Sequence, residues 1–140
     1  MTTRILIADD DAPVRQLLRR ILEEHPGWLV CGEASNGRDA VAKAKQLSPD
    51  VVVMDLAMPQ MNGLEAGREI SKSSHLHMLL LTVQEVSQEL AREARKAGFQ
   101  GAISKGKGTE VIPEIETLLE DGTCSNRAQI SLPSGPRPNG

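Results

Sequence analysis

The chain has 140 residues, 25% of them charged and 39% hydrophobic, with a formal net charge of −3. That is the length of one domain able to bury its own core, and the acidic balance argues against the basic stripe of a nucleic-acid surface. One Phe, one Trp and no Tyr leave the core to aliphatic side chains, and no apolar run approaches the roughly 18 residues that cross a bilayer.

Met1-Thr2-Thr3-Arg4 leads straight into an apolar run, with no targeting segment read there, so cytoplasm is the expected compartment. Five apolar runs then alternate with five segments of helical period. The runs predict strands over 4–8, 29–34, 51–55, 78–82 and 101–105, and the periodic segments predict helices over 12–24, 37–47, 64–73, 87–97 and 109–120. The first helix shows Val14, Leu17, Leu18, Ile21 and Leu22 at helical spacing, with Arg15, Arg19, Arg20 and Glu23 on its other face. Asp11 stands as its N-cap, with Pro13 in the first turn, where amides lack intrahelical partners. Cys31 sits in the second apolar run and Cys124 in a polar region, which is no disulfide framework. Asn36 and Asn62 read as caps of the second and third helices, and Glu65 completes a capping box with Asn62.

Strict alternation of this kind implies parallel strands joined by right-handed crossovers, with helices on both faces of one sheet. Val51-Val52-Val53 lacks polar alternation, as a central strand covered on both sides should. The first, third and fourth runs are the most apolar and belong in the middle. From about Gly122 the periodicity stops. The Pro, Gly and Ser-rich stretch 131–140 marks 122–140 as a disordered tail or the start of a linker.

Chemistry-bearing residues close four of the five runs. Asp9 and Asp10 follow the first, Asp55 ends the third, Thr82 ends the fourth and Lys105 ends the fifth. Open α/β sheets bind ligands at the carboxyl edge of their strands, so three carboxylates, a hydroxyl and an ammonium should meet there. Three acids in close quarters call for a hard cation, and an acid beside a lysine and a hydroxyl suits a phosphoryl group.

At this point the residues resemble a known family, the receiver domains of two-component response regulators. The resemblance rests on Ile5-Leu6-Ile7-Ala8-Asp9-Asp10, on the Asp-x-x-Met-Pro-x-x-x-Gly stretch from Asp55 to Gly63, on Leu80-Leu81-Thr82, and on Ala97-Gly98-Phe99 leading to Lys105. It covers residues 4 to about 120 and sets the receiver domain at 1–121. It implies a flavodoxin-like (βα)5 fold with a parallel five-stranded sheet in the order 2-1-3-4-5. It further implies Asp55 as phosphoacceptor for a histidine kinase, and Mg²⁺ or Mn²⁺ held by Asp10, Asp55, the backbone carbonyl of Ala57 and, through water, Asp9. Thr82 and Lys105 would bind the phosphoryl oxygens. The chain would be a switch and not an enzyme, beyond self-catalysed transfer and slow autodephosphorylation. Its expected partners are the kinase, a homodimer mate across the first and fifth helices, and a downstream protein or effector domain. Contact with nucleic acid or membrane is not expected of this stretch itself. The last twenty residues are too few for a helix-turn-helix, so the reading is a stand-alone receiver or one followed by an effector.

Three positions depart from the family pattern. Ala102 stands where an aromatic residue usually precedes the lysine by three, and a methyl has no rotamer to switch. Gly106 replaces the usual proline, and with Gly108 predicts a mobile loop. Val83 replaces a small residue after Thr82 and crowds the site. Several residues have plainer readings: Lys107 as a solvated charge, Met58 and Pro59 as turn formers, and His75 and His77 as packing or surface residues. One rival is a phosphatase resembling the haloacid dehalogenases, with Asp9 of Asp9-x-Asp11 as nucleophile; against it, no acidic pair follows the lysine except on a helix, and no substrate cap fits. Another is a receiver that binds partners without phosphorylation.

Overall fold

The structure is a computed structural model that describes residues 2–121, the side chains of 107–109 and 121 excepted. The proposed tail or linker at 122–140 and Cys124 lie outside the described residues.

Strands β1 (Thr3–Ala8), β2 (Trp28–Ala34), β3 (Val51–Asp55), β4 (His77–Thr82) and β5 (Gly101–Ser104) form one parallel sheet in the order β2-β1-β3-β4-β5. Helices α1 (Ala12–Glu23), α2 (Gly37–Leu47), α3 (Gly63–Ser71), α4 (Gln88–Lys96) and α5 (Val111–Asp121) connect or follow them. The flavodoxin-like order expected from the resemblance is the observed one, and the three most apolar runs are its central strands.

Alternate residues of each strand feed two separate cores, which is why the runs are apolar throughout. Ile5, Ile7, Val51, Val53, Leu79, Leu81 and Ile103 face α1 and α5, meeting Leu18, Leu22, Ile115 and Leu118. Leu6, Ala8, Val52, Met54, Met78, Leu80 and Ala102 face α2, α3 and α4, meeting Ala40, Ala44, Ala66, Ile70 and Ala94. The first core is branched and bulky; the second is mostly alanine and methionine. Each core holds one aromatic, Trp28 in the first and Phe99 in the second. Among the described residues no helix is long and apolar enough to cross a membrane.

Two caps fall as expected. The Asn36 side chain accepts from the Asp39 amide, and Asn62 and Glu65 form the full reciprocal box. A third, Ser87, accepts from the Leu90 amide and starts α4 one residue later than the periodicity predicts. Asp11 occupies the N-cap of α1 but its side chain caps nothing. Its own amide instead donates to Asp9 Oδ1 at 2.9 Å, so the turn is closed from the strand side. The loop expected after Lys105 is a 3-10 helix, Lys105–Glu110, which shortens α5 at its start. On β2 the register slips between Val30 and Gly32, leaving Cys31 as the extra, half-buried residue of a bulge; burial pushes its thiol pKa up.

Candidate functional site

Four of the chemistry-bearing side chains lie together at the carboxyl edge, as the alternation predicts. Asp55 is the last residue of β3 and Thr82 the last of β4, while Asp9 and Lys105 follow the ends of β1 and β5. Asp9 is fully buried, Asp55 is 4% exposed and Thr82 2%, and in each case the four residues before it on the strand are all core. Asp10 sits at the open rim. One carboxylate oxygen from each of Asp9, Asp10 and Asp55 lies within 4.8 Å of the other two.

Lys105 Nζ stands 2.7 Å from Asp9 Oδ2 and 3.3 Å from Asp55 Oδ1, so the ammonium bridges the two buried acids. That ammonium is the one contact of Asp9 Oδ2 among the described residues, and the oxygen is otherwise sealed from solvent. Burial pushes the Asp55 carboxyl above its usual range, and the Asp9 charge adds to this; Lys105 and a hydrogen bond from the Ala57 backbone offset only part. Burial opposes the charge on Lys105, but Asp9 and Asp55 outweigh it and raise its pKa. Among the described residues, three carboxylates against one ammonium leave a local excess of two negative charges. A single hard dication of oxygen-loving character, such as Mg²⁺, matches that excess and the buried lone pair on Asp9. The donor set therefore fits a metal.

Thr82 Oγ1 accepts from the Gln84 amide at 3.3 Å, which leaves the hydroxyl hydrogen to donate elsewhere. Val83 beside it is 78% exposed. Ala102 packs in the alanine-rich core, and the space it shares with Ala91, Ala94, Arg95 and Phe99 is too narrow for a water molecule. His75 is exposed and His77 half-buried at the opposite edge, away from the acids; the Lys107 side chain lies outside the described residues. One neighbour was not legible as such. Arg15, which helical spacing places on a solvated face, turns back to the Asp9 carbonyl. No local pattern signals this, because its second partner, Glu33, lies on another strand.

The sequence matches the response regulator receiver domain family over residues 5–115, and the chain belongs to that family. It is 43% identical to the chemotaxis protein CheY of Thermotoga maritima over 105 residues, 75% of this chain and 87% of that one. It is 40% identical to the response regulator UvrY of Escherichia coli K12, covering 81% of this chain and only 53% of UvrY. Among solved structures it resembles a LuxR-family two-component response regulator from Aurantimonas sp. SI85-9A1, with TM-score 0.81, 33% identity and 86% and 87% of the two chains covered. The response regulator domain of Thermotoga maritima CheB gives TM-score 0.76 at 30% identity, covering 90% of this chain and 98% of that one. The chain thus spans most of CheY but about half the length of UvrY.

Proposed function

We propose that this receiver domain is a phosphoacceptor switch in which Asp55 takes a phosphoryl group from a histidine kinase. An oxygen of the Asp55 carboxylate attacks phosphorus, the bond from phosphorus to the kinase histidine nitrogen breaks, and an aspartyl phosphate forms. The observation that supports this best is the charge balance: among the described residues three clustered acids are met by a single ammonium, which touches the two buried ones. Asp10 and Asp55, the Ala57 carbonyl and, through water, Asp9 would hold Mg²⁺ or Mn²⁺. When bound, that ion neutralises charge on the phosphoryl oxygens. Lys105 would exchange its contact with Asp55 for a phosphoryl oxygen, and the Thr82 hydroxyl would donate to another. Asp9 is a poor nucleophile by comparison, since the Asp11 amide and Lys105 already engage its oxygens in a fully buried position.

Phosphorylation changes partners only as far as it favours one conformer over another. With alanine at 102, no ring reports the change, so it would pass through Thr82 and the loop 83–87 into α4. The output would be an altered protein surface, a homodimer or a following effector domain, in the cytoplasm, and the domain itself would catalyse no turnover beyond its own phosphoryl transfer and loss.

Incubation with acetyl phosphate and Mg²⁺ followed by peptide mass analysis tests the assignment. One added phosphoryl group on Asp55, absent in Asp55→Asn, is expected. Modification of Asp9 would establish the phosphatase reading instead. A chain that stays unmodified under conditions where it binds Mg²⁺ would leave only the phosphorylation-independent binding module.

A further inference from the structure

Neighbouring residues on an extended chain point to opposite faces of a sheet. Asp9 and Asp10 are neighbours, yet their carboxylates converge on one spot, Asp9 from the interior and Asp10 from the rim. The chain leaves the strand at Ala8 to achieve this. What sets the relative aim of the two acids is the orientation of the single peptide between them, because it fixes ψ of Asp9 and φ of Asp10.

That peptide is held from its carbonyl end. The Asp9 oxygen accepts from Arg15 Nη1 at 2.7 Å. The Arg15 guanidinium is itself anchored, with Nε 3.0 Å from Glu33 Oε1 on β2. Glu33 takes a second guanidinium on its other oxygen, Arg19 Nε at 2.8 Å. These hydrogen bonds hold the Glu33 carboxyl below the usual carboxylate range, so it stays charged and keeps its grip. The peptide before it is fixed as well, because the Asp9 amide donates to Ala34 O on β2. β2 therefore clamps Asp9 twice, once through the sheet ladder and once through Glu33 and Arg15.

We infer that Arg15 is a positioning residue for the cation site: anchored by Glu33, it fixes the peptide that aims Asp9 and Asp10 at one ion. The inference rests on the reading of Asp9, Asp10 and Asp55 as that site. The structure also supplies its own control. Arg19 shares Glu33 with Arg15 and also pairs with Glu23, but it makes no bond to Asp9, so it ties α1 to β2 without touching the peptide that aims the acids.

Mn²⁺ titration of the full chain by electron paramagnetic resonance, run beside thermal unfolding without metal, separates the two roles. Arg15→Ala is expected to weaken Mn²⁺ binding about tenfold, as loss of a group that orients a metal ligand does. Arg19→Ala should lower the unfolding temperature comparably and leave the Mn²⁺ affinity unchanged. Should Arg15→Ala fail to fold, Glu33→Gln, which loosens the anchor, should shift affinity the same way by a smaller factor. Equal Mn²⁺ affinities in the native chain and Arg15→Ala, or equal losses in the Arg15 and Arg19 variants, overturn the inference. A native chain that binds Mn²⁺ but is never phosphorylated overturns the proposed function while leaving this comparison intact; one that binds no Mn²⁺ overturns both.

Discussion

At the amino edge of the sheet, Asp50 and Arg4 settle their polar groups against the backbone. Asp50 Oδ2 accepts from the Arg4 amide and the Asp50 amide donates to the Arg4 carbonyl, each at 2.8 Å, while the Arg4 guanidinium caps the Leu47 and Ser48 carbonyls at the end of α2. Even the buried, unpartnered His77 Nδ1 there adds no charge, because burial lowers its pKa against the pull of Asp50. At the carboxyl edge the same residue types are left in conflict. Three carboxylates crowd together, and among the described residues one lysine meets them, touching only the two that are buried. The amino edge uses its charges to hold loops to strands; the carboxyl edge stores unfavourable charge that a ligand relieves. Clustered like charges held in a buried site mark a candidate functional site in a way that paired surface charges do not.

Lys105→Met strikes this difference hardest. It leaves Asp9 fully buried without its cation, and urea unfolding in the absence of metal should show a loss of about 3 kcal/mol. Added Mg²⁺ should return part of it, and an unchanged midpoint would mean that the ammonium does not offset the acids.

Asp55→Asn should act in the opposite direction, raising metal-free stability at neutral pH by about 1 kcal/mol. The sign follows from linkage. The folded pKa of Asp55 lies above its unfolded value, so the native chain loses stability as pH rises between the two, and stays at the lower level above them. The advantage of the asparagine should therefore fade as pH falls through the raised pKa of Asp55, where the native carboxyl takes up its own proton. A gain that stays constant through that range would show that charge is not its cause.

At the quiet edge, Asp50→Ala should cost about 1 kcal/mol through the lost bond to the Arg4 amide. Its stability should respond to Mg²⁺ as the native chain does. A Mg²⁺ response altered by this change would erase the contrast between the edges.

Much of the fold was legible from residue order. The uninterrupted run Val51-Val52-Val53 marks a strand covered on both faces, and Asn62 with Glu65 marks the start of α3 within a residue. Where reading failed, a local signal was overridden by a partner distant in sequence. Asp11 has the chemistry of a cap, but the Asp9 carboxylate took its amide. Arg15 has the spacing of a solvated face, but Glu33 and the Asp9 carbonyl drew it in. Ser87 carries no sharp signal as a cap, because α4 is short and strongly polar and its periodicity has no clear beginning.

By itself the sequence determined the alternation of elements, the apolar strands and the polar residue closing each of four of them, because side-chain period and solubility act locally. Which strands lie side by side, how far Lys105 reaches between two acids, and how one peptide turns Asp9 and Asp10 toward the same point were decided only in the tertiary structure. Those depend on distances between residues that the chain order leaves far apart, and electrostatic energy is set by distance and burial.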